Sequence, residues 1–132
     1  MTPREMFERD AASAALGMRL VELGPQRAVV TMTVRDDMLN GFAVAHGGIV
    51  FAVADTAFAM ACNDGTAVTL SAGADISFLR PVRAGQVLTA SAVVRSDSGR
   101  SGLYDVTVCD ETGAAVAEFR GRSRRTSLAA PA

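Results

Sequence analysis

Lysine is absent from this 132-residue chain, and all 13 of its basic residues are arginine. That absence excludes Schiff-base chemistry on a lysine, a phosphate-loop lysine and a pyridoxal enzyme. Histidine occurs once, as His46, and cysteine twice, as Cys62 and Cys109. One histidine and two thiols cannot assemble a tetrahedral zinc site of the usual ligands within one chain, so no metal is expected. The same count leaves a serine, histidine and acid triad only one base to use. Surplus charge is lacking as well, the formal net charge being −1. Nucleic acid is therefore not an expected partner, because phosphate binding needs an excess of cations over the face that meets the duplex. Long uncharged runs are interrupted by His46 and Asp55 before they could span a bilayer, and Arg4, Glu5, Glu8, Arg9 and Asp10 break any signal-peptide core. The expectation is a cytoplasmic protein with no membrane partner and two reduced core thiols. Chemistry is left to carboxylates, backbone groups and one imidazole.

What the chain has is 49% apolar and 20% charged residues, a balance that fits one globular domain over residues 1 to 132. Thr2, Pro3 and early acids predict an N-terminal helix over residues 2 to 14, ended by Gly17 within an N-terminal segment 1 to 17. Strand-like runs at 18 to 23 and 27 to 34, joined by Gly24 and Pro25, predict a hairpin. Residues 49 to 62 contain no proline or glycine and form the strongest helix candidate. Strands are expected at 66 to 79, 86 to 96, 103 to 109 and 114 to 125, the last three or four as an antiparallel meander, before a flexible tail at 126 to 132. The fold class that follows is α+β, with a curved antiparallel sheet wrapped around one long apolar helix.

That helix is apolar on nearly every side, which predicts burial all round and a second subunit over the part its own sheet leaves open. Asp55 is its one charge. A buried carboxylate costs several kcal/mol or shifts its pKa upward, so something must compensate. It either lies on a thin polar strip beside Thr56, or pairs with an arginine across a subunit interface, or is a desolvated acid tuned for base or nucleophile work. At the helix start, Gly47 and Gly48 leave amides that could draw in a carbonyl and hold it as an oxyanion, or they merely form a turn that admits a buried helix. Eight residues at about 1.5 Å each separate Gly47 from Asp55 by roughly 12 Å, so one reacting atom cannot meet both in the same chain. The acid would have to come from the facing subunit.

The stretch Asn40-Gly41-Phe42-Ala43-Val44-Ala45-His46-Gly47-Gly48, continuing through Phe51, Ala54-Asp55-Thr56-Ala57-Phe58-Ala59 and Ala61-Cys62-Asn63, resembles the hotdog-fold acyl-CoA thioesterases. Within them it is most similar to the phenylacetic acid degradation thioesterase group. Phe78-Leu79-Arg80-Pro81, Gly85, Gly99-Arg100, Tyr104-Asp105-Val106 and Phe119-Arg120-Gly121 match the same group, so the likeness covers residues 18 to 125. It implies the hotdog fold, a homodimer with active sites at its interface, and usually a homotetramer made of two such dimers. It also implies that Asp55 is the catalytic acid, as general base or as nucleophile. The Gly47 amide would polarise the thioester carbonyl, assisted by Asn40 from the protomer opposite to Asp55. Ser71 falls where some members orient the water. His46 either supports the carbonyl-binding loop or touches the thioester, or is a structural cap whose ring bonds a backbone carbonyl.

The expected substrate is an acyl-CoA, aryl-acetyl in type, cleaved without a bound cofactor. Gly48, Phe51, Phe58 and Met60 are expected around the acyl group. Coenzyme A phosphates would need arginine, from among Arg80, Arg83, Arg100, Arg122 and Arg124, with Arg80 and Arg100 favoured, and Pro81 is expected to touch the substrate beside Arg80. Arg120, Arg122 and Arg124 would share one face of a strand, where a charged solvent face is the plainer explanation. Two rivals stand beside hydrolysis: a non-catalytic acyl-CoA binder on the same fold, and a hydratase or dehydratase of enoyl-CoA.

Overall fold

Thr2 starts the first helix by satisfying its free amides. In this computed structural model, which describes residues 1 to 131, the Thr2 hydroxyl accepts from the Glu5 amide, and the Glu5 carboxylate accepts from the Thr2 amide. This reciprocal cap opens α1 (Pro3–Glu8). The single helix expected over 2 to 14 is in fact two. Asp10 has an extended backbone and its carboxylate accepts the Ser13 amide, so it caps a new helix, α2 (Ala11–Ala15). A residue that caps from outside a helix cannot also carry the previous one through itself.

β1 (Arg19–Gly24) and β2 (Arg27–Thr33) form the expected hairpin, turning at Pro25 and Gln26. In β2 the alternation puts Ala28, Val30 and Met32 inward. The long helix α3 (Gly47–Cys62) begins two residues earlier than predicted, because His46 caps it. It is followed by β3 (Thr69–Phe78), β4 (Val87–Asp97), β5 (Ser101–Cys109) and β6 (Ala115–Arg125). β3 starts later than residue 66 because the Asp64 carboxylate accepts both the amide and the hydroxyl of Thr66, which makes a turn there.

The six strands run antiparallel in the order β1-β2-β4-β5-β6-β3. The meander is thus three strands, β4 to β6. β3 does not lie beside β4 as a fourth member would, but crosses to the far edge and pairs with β6. This α+β sheet wraps α3, whose Val53, Ala54, Ala57, Phe58 and Met60 are buried with Met32, Leu88, Val106, Val108 and Phe119. Phe58 explains a glycine in β6: a Cβ at Gly121 would stand 2.8 Å from three atoms of the Phe58 ring. Cys62 and Cys109 are both free thiols, and burial pushes the Cys62 thiol up to about 12. Of the tail expected at 126 to 132, Thr126 is tied to the Val68 carbonyl through its amide and its hydroxyl. Ala132 lies outside the described residues.

The sheet covers most of α3 but not all of it. Gly48, Phe51, Ala52, Asp55 and Ala59 keep partial or full exposure, and their three- and four-residue spacing makes them one stripe along the helix. Asp55 lies in the middle of that stripe.

Candidate active site

The loop that leads into α3 is held rigidly by Asn40. Its side-chain oxygen accepts from the Phe42 amide at 2.9 Å and from the Val44 amide at 3.4 Å, while its backbone N–H donates to the Val44 carbonyl. Ala43 takes the left-handed conformation at φ 59 to close the turn. With Oδ1 committed inward, Asn40 is left with its Nδ2 hydrogens as free donors among the described residues. The loop is anchored at its end by the His46 amide on the Met38 carbonyl and the Ala45 amide on the Val82 carbonyl.

His46 caps α3, though not by bonding a carbonyl. Its Nδ1 accepts from the Gly48 amide at 3.0 Å, so the ring proton belongs on Nε2. This corrects the expectation of two uncovered amides. Gly48 is occupied, and Ile49 donates to the His46 carbonyl. Among the described residues, the Gly47 amide meets no acceptor and is the donor left at the positive end of the helix. Replacing His46 by Ala removes the cap and is expected to lower unfolding free energy by about 1 kcal/mol, read in urea titration.

Beside Gly47 lies a groove of about 320 Å³ walled by Val44, Val50, Phe78, Leu79, Arg80 and Pro81. The Phe78 ring comes within 3.1 Å of where a Cβ on Gly47 would sit, so a side chain here would push the ring back by a few tenths of an ångström from the helix start. Phe78 and Leu79 are both about half exposed. Phe78 lines the groove, and the sequence marks it only as part of a motif. The available signal was its place as the last residue of a strand, directly before Leu79-Arg80-Pro81.

Asp55 is half-buried and makes no hydrogen bond or ion pair among the described residues. The polar strip is therefore not self-satisfied: Thr56 turns away and bonds Ser13. Burial pushes the Asp55 carboxyl above the ordinary carboxylate range, and the nearby charge of Asp10 pushes the same way. A carboxylate raised toward neutrality and left without a partner is suited to taking a proton.

Other expected positions divide. Ser71 lies on edge strand β3 opposite buried Ser123, next to a bulge, which sets it on the helix side of the sheet. Phe51 keeps part of its surface on the open stripe and packs edge-on against Phe119 at 5.2 Å. Phe58 does not line a cavity: it is 1% exposed, wedged between Tyr104 and Phe119, and serves the core. Met60 is buried in the same way. A helix that is apolar on nearly every side does not mark in its sequence which side faces the sheet, so the expectation of Phe58 and Met60 at the acyl group gives way to a core position for both.

The arginines divide too. Arg80 and Pro81 border the groove at Gly47. Arg100 lies at the opposite end of α3, near Cys62, Arg124 and Arg125. Sixteen helical residues span about 24 Å, so Arg80 and Arg100 of one protomer cannot grip one phosphate. Arg120 and Arg122 do share the outer face of β6, and are paired there with Asp105 at 2.7 Å and Asp75 at 3.1 Å. Among the described residues no cluster of histidine, cysteine and acids is placed to hold a metal ion, and no helix is long and apolar enough to cross a membrane.

Residues 42 to 117 match the model of the thioesterase superfamily. The chain is 45% identical over 120 residues to acyl-coenzyme A thioesterase PaaI of Escherichia coli K12, covering 91% of this chain and 86% of that protein. The structure of the E. coli PaaI protein superposes with a TM-score of 0.91 at 44% identity, over 93% of this chain and 89% of that one. A mutant of the phenylacetic acid degradation protein PaaI from Thermus thermophilus gives 0.85 at 38%, over 89% and 100%. A family match over more than half of the chain, relatives at this identity and coverage, and a long helix wrapped by an antiparallel sheet lead to one assignment. The chain belongs to the thioesterase superfamily, as a hotdog-fold thioester hydrolase of the acyl-CoA thioesterase type.

Proposed function

We propose that the protein hydrolyses aryl-acetyl-CoA thioesters, phenylacetyl-CoA or its ring-hydroxylated analogues, to the free acid and coenzyme A. The observation that carries this reading is the unpaired Gly47 amide at the start of a buried helix, together with the unpaired, upshifted Asp55 on the open stripe of the same helix. The E. coli relative's name supports acyl-CoA as the substrate class, and the phenylacetic acid degradation named for the E. coli and T. thermophilus structures supports an aryl-acetyl group.

The thioester carbonyl sits at the Gly47 N–H, with an Asn40 Nδ2 hydrogen as second donor. Both strengthen as the oxygen becomes an oxyanion. Asp55 of the other protomer takes a proton from water held near Ser71, and the water oxygen bonds the carbonyl carbon. Collapse of the tetrahedral intermediate breaks the carbon–sulfur bond and releases the thiolate, which takes up a proton. In the alternative route Asp55 attacks directly and water cleaves the resulting anhydride. His46 supports the loop, Phe51 and Phe78 wall the acyl and thioester region, and Arg80 beside Pro81 meets coenzyme A at the groove mouth, with Arg100 reaching it only from the partner.

The two-protomer site is supported by the roughly 12 Å between Gly47 and Asp55 along one helix. It is also supported by edge strand β3, which pairs on one side only and exposes Leu70 and Phe78. We read the working unit as a homodimer and its assembly as a homotetramer in the cytoplasm.

Incubating the purified protein with phenylacetyl-CoA and a colorimetric thiol reagent tests the reading. Thiol release above the uncatalysed rate is expected. Binding of acyl-CoA without thiol release would favour the non-catalytic binder, and loss of enoyl-CoA absorbance without thiol would favour hydration.

A further inference from the structure

Thr56, the residue after Asp55, is 8% exposed and its hydroxyl lies 2.9 Å from that of Ser13, which is 2% exposed. The Ser13 hydroxyl donates to the Asp10 carboxylate at 2.6 Å, and the Ser13 amide donates to the other oxygen at 2.9 Å. A chain of three hydrogen-bonded side chains, buried at Ser13 and Thr56 and partly exposed at Asp10, thus ties the N-terminal helices to α3 one residue from the acid. Capping α2 would need only Asp10. The link onward through Ser13 to Thr56 fixes where the Asp10 charge stands relative to Asp55.

We propose that Asp10 is a positioning residue for hydrolysis: held through Ser13 against Thr56, the residue after Asp55, its carboxylate sets the electrostatic surroundings in which that acid works. The inference rests on Asp55 being the working acid.

No other charge on the packed elements competes for this role among the described residues. Arg4, Glu5, Glu8 and Arg9 are exposed, Glu5 being bound to Thr2 and Arg9 to the Pro131 carbonyl. From the sheet and its loops, Asp105 pairs with Arg120 and Asp75 with Arg122 on the outer face, Glu22 pairs with Arg27 and Asp64 with Arg125, the Asp97 carboxylate accepts from Gln26 and that of Glu118 from Thr107, and Arg19, Arg95 and Arg124 are exposed. Cys62 and Tyr104 are held neutral because burial raises both. A like charge disfavours ionisation of its neighbour, so Asp10 moves the ionisation of Asp55 to higher pH. A stronger base results, at the cost of a smaller ionised fraction in acid.

The test is the pH profile of kcat/KM for thiol release by the full-length protein and by D10N, which keeps the cap because asparagine caps as well as aspartate. The acid limb of D10N is expected at lower pH than that of the parent. Added salt should move the parent limb toward that of D10N and leave D10N nearly fixed, since screening weakens an interaction between partly exposed charges. The salt series on the parent alone decides the matter if D10N folds poorly. Coincident limbs, a shift to higher pH, or a parent limb indifferent to salt would overturn the inference. A D55N variant that retains full activity would overturn the catalytic reading itself, and this inference with it.

Discussion

Asp55→Asn is expected to lower kcat for thioester hydrolysis by about two to four orders of magnitude, the range typical of a positioned base. The same substitution should make the protein more heat-resistant at neutral pH. The sign follows from the direction of the shift. Burial and Asp10 raise the Asp55 carboxyl in the folded state, so the unfolded chain gives up its proton first as pH rises. Between the unfolded and folded values the native state binds more protons, and stability therefore falls with rising pH through that window. Asparagine carries no charge and escapes the penalty. The thermal midpoint of D55N should exceed that of the parent at pH 7 and approach it in acid, below the unfolded pKa. Loss of activity together with gain of stability separates a working acid from a structural one, since a structural carboxylate would cost stability when removed. A variant that is both inactive and less stable at pH 7 would mean that Asp55 is tied by interactions made in the assembled protein.

How much of this was legible in the residues depended on the range of the interaction. The hairpin at Pro25, the apolar helix after His46 and the three-strand meander were readable because turn chemistry and periodicity are local. The break at Asp10 was not, because an aspartate within an apparent helix reads as a surface acid until Ser13 is seen to donate to it twice. The position of β3 depends on a crossover past α3, which no spacing records. In the site, the chemistry of Asp55 was visible as a lone charge in an apolar helix, and Gly47 as a helix start. Which of the two glycine amides is free was invisible, since His46 had to turn its ring back on Gly48 to decide it. Phe51 and Phe58, seven residues apart, looked alike along the chain. The sheet distinguishes them by covering one and leaving the other on the open stripe.

Phe58→Ala is expected to cost about 3–5 kcal/mol, which for a domain of this size lowers the thermal midpoint by roughly 10–20 °C. The ring is 1% exposed, with centroids 5.6 Å from Tyr104 and 5.8 Å from Phe119, and β6 comes against it at Gly121. Removing it forfeits the transfer energy of the ring and leaves a cavity that neither helix nor strand can close, since each is pinned by its neighbours. Gly121→Ala in the parent protein is expected to destabilise as well, by about 1–3 kcal/mol, because its methyl would stand 2.8 Å from the ring. The double variant decides whether the two residues form one packing unit. In the Phe58→Ala background the added methyl points into the vacated space, so Gly121→Ala should cost far less there, and the summed single effects should exceed the effect of the pair. Strict additivity in urea titrations would mean that Gly121 is held by backbone demands of β6 rather than by the ring. The pair also bears on catalysis. Phe58 lies one helical turn beyond Asp55 and fixes the rotation of α3 against the sheet, so a repacked helix turns the acid within its stripe. Folded Phe58→Ala protein below its midpoint should therefore show reduced kcat while still binding acyl-CoA at the Gly47 end.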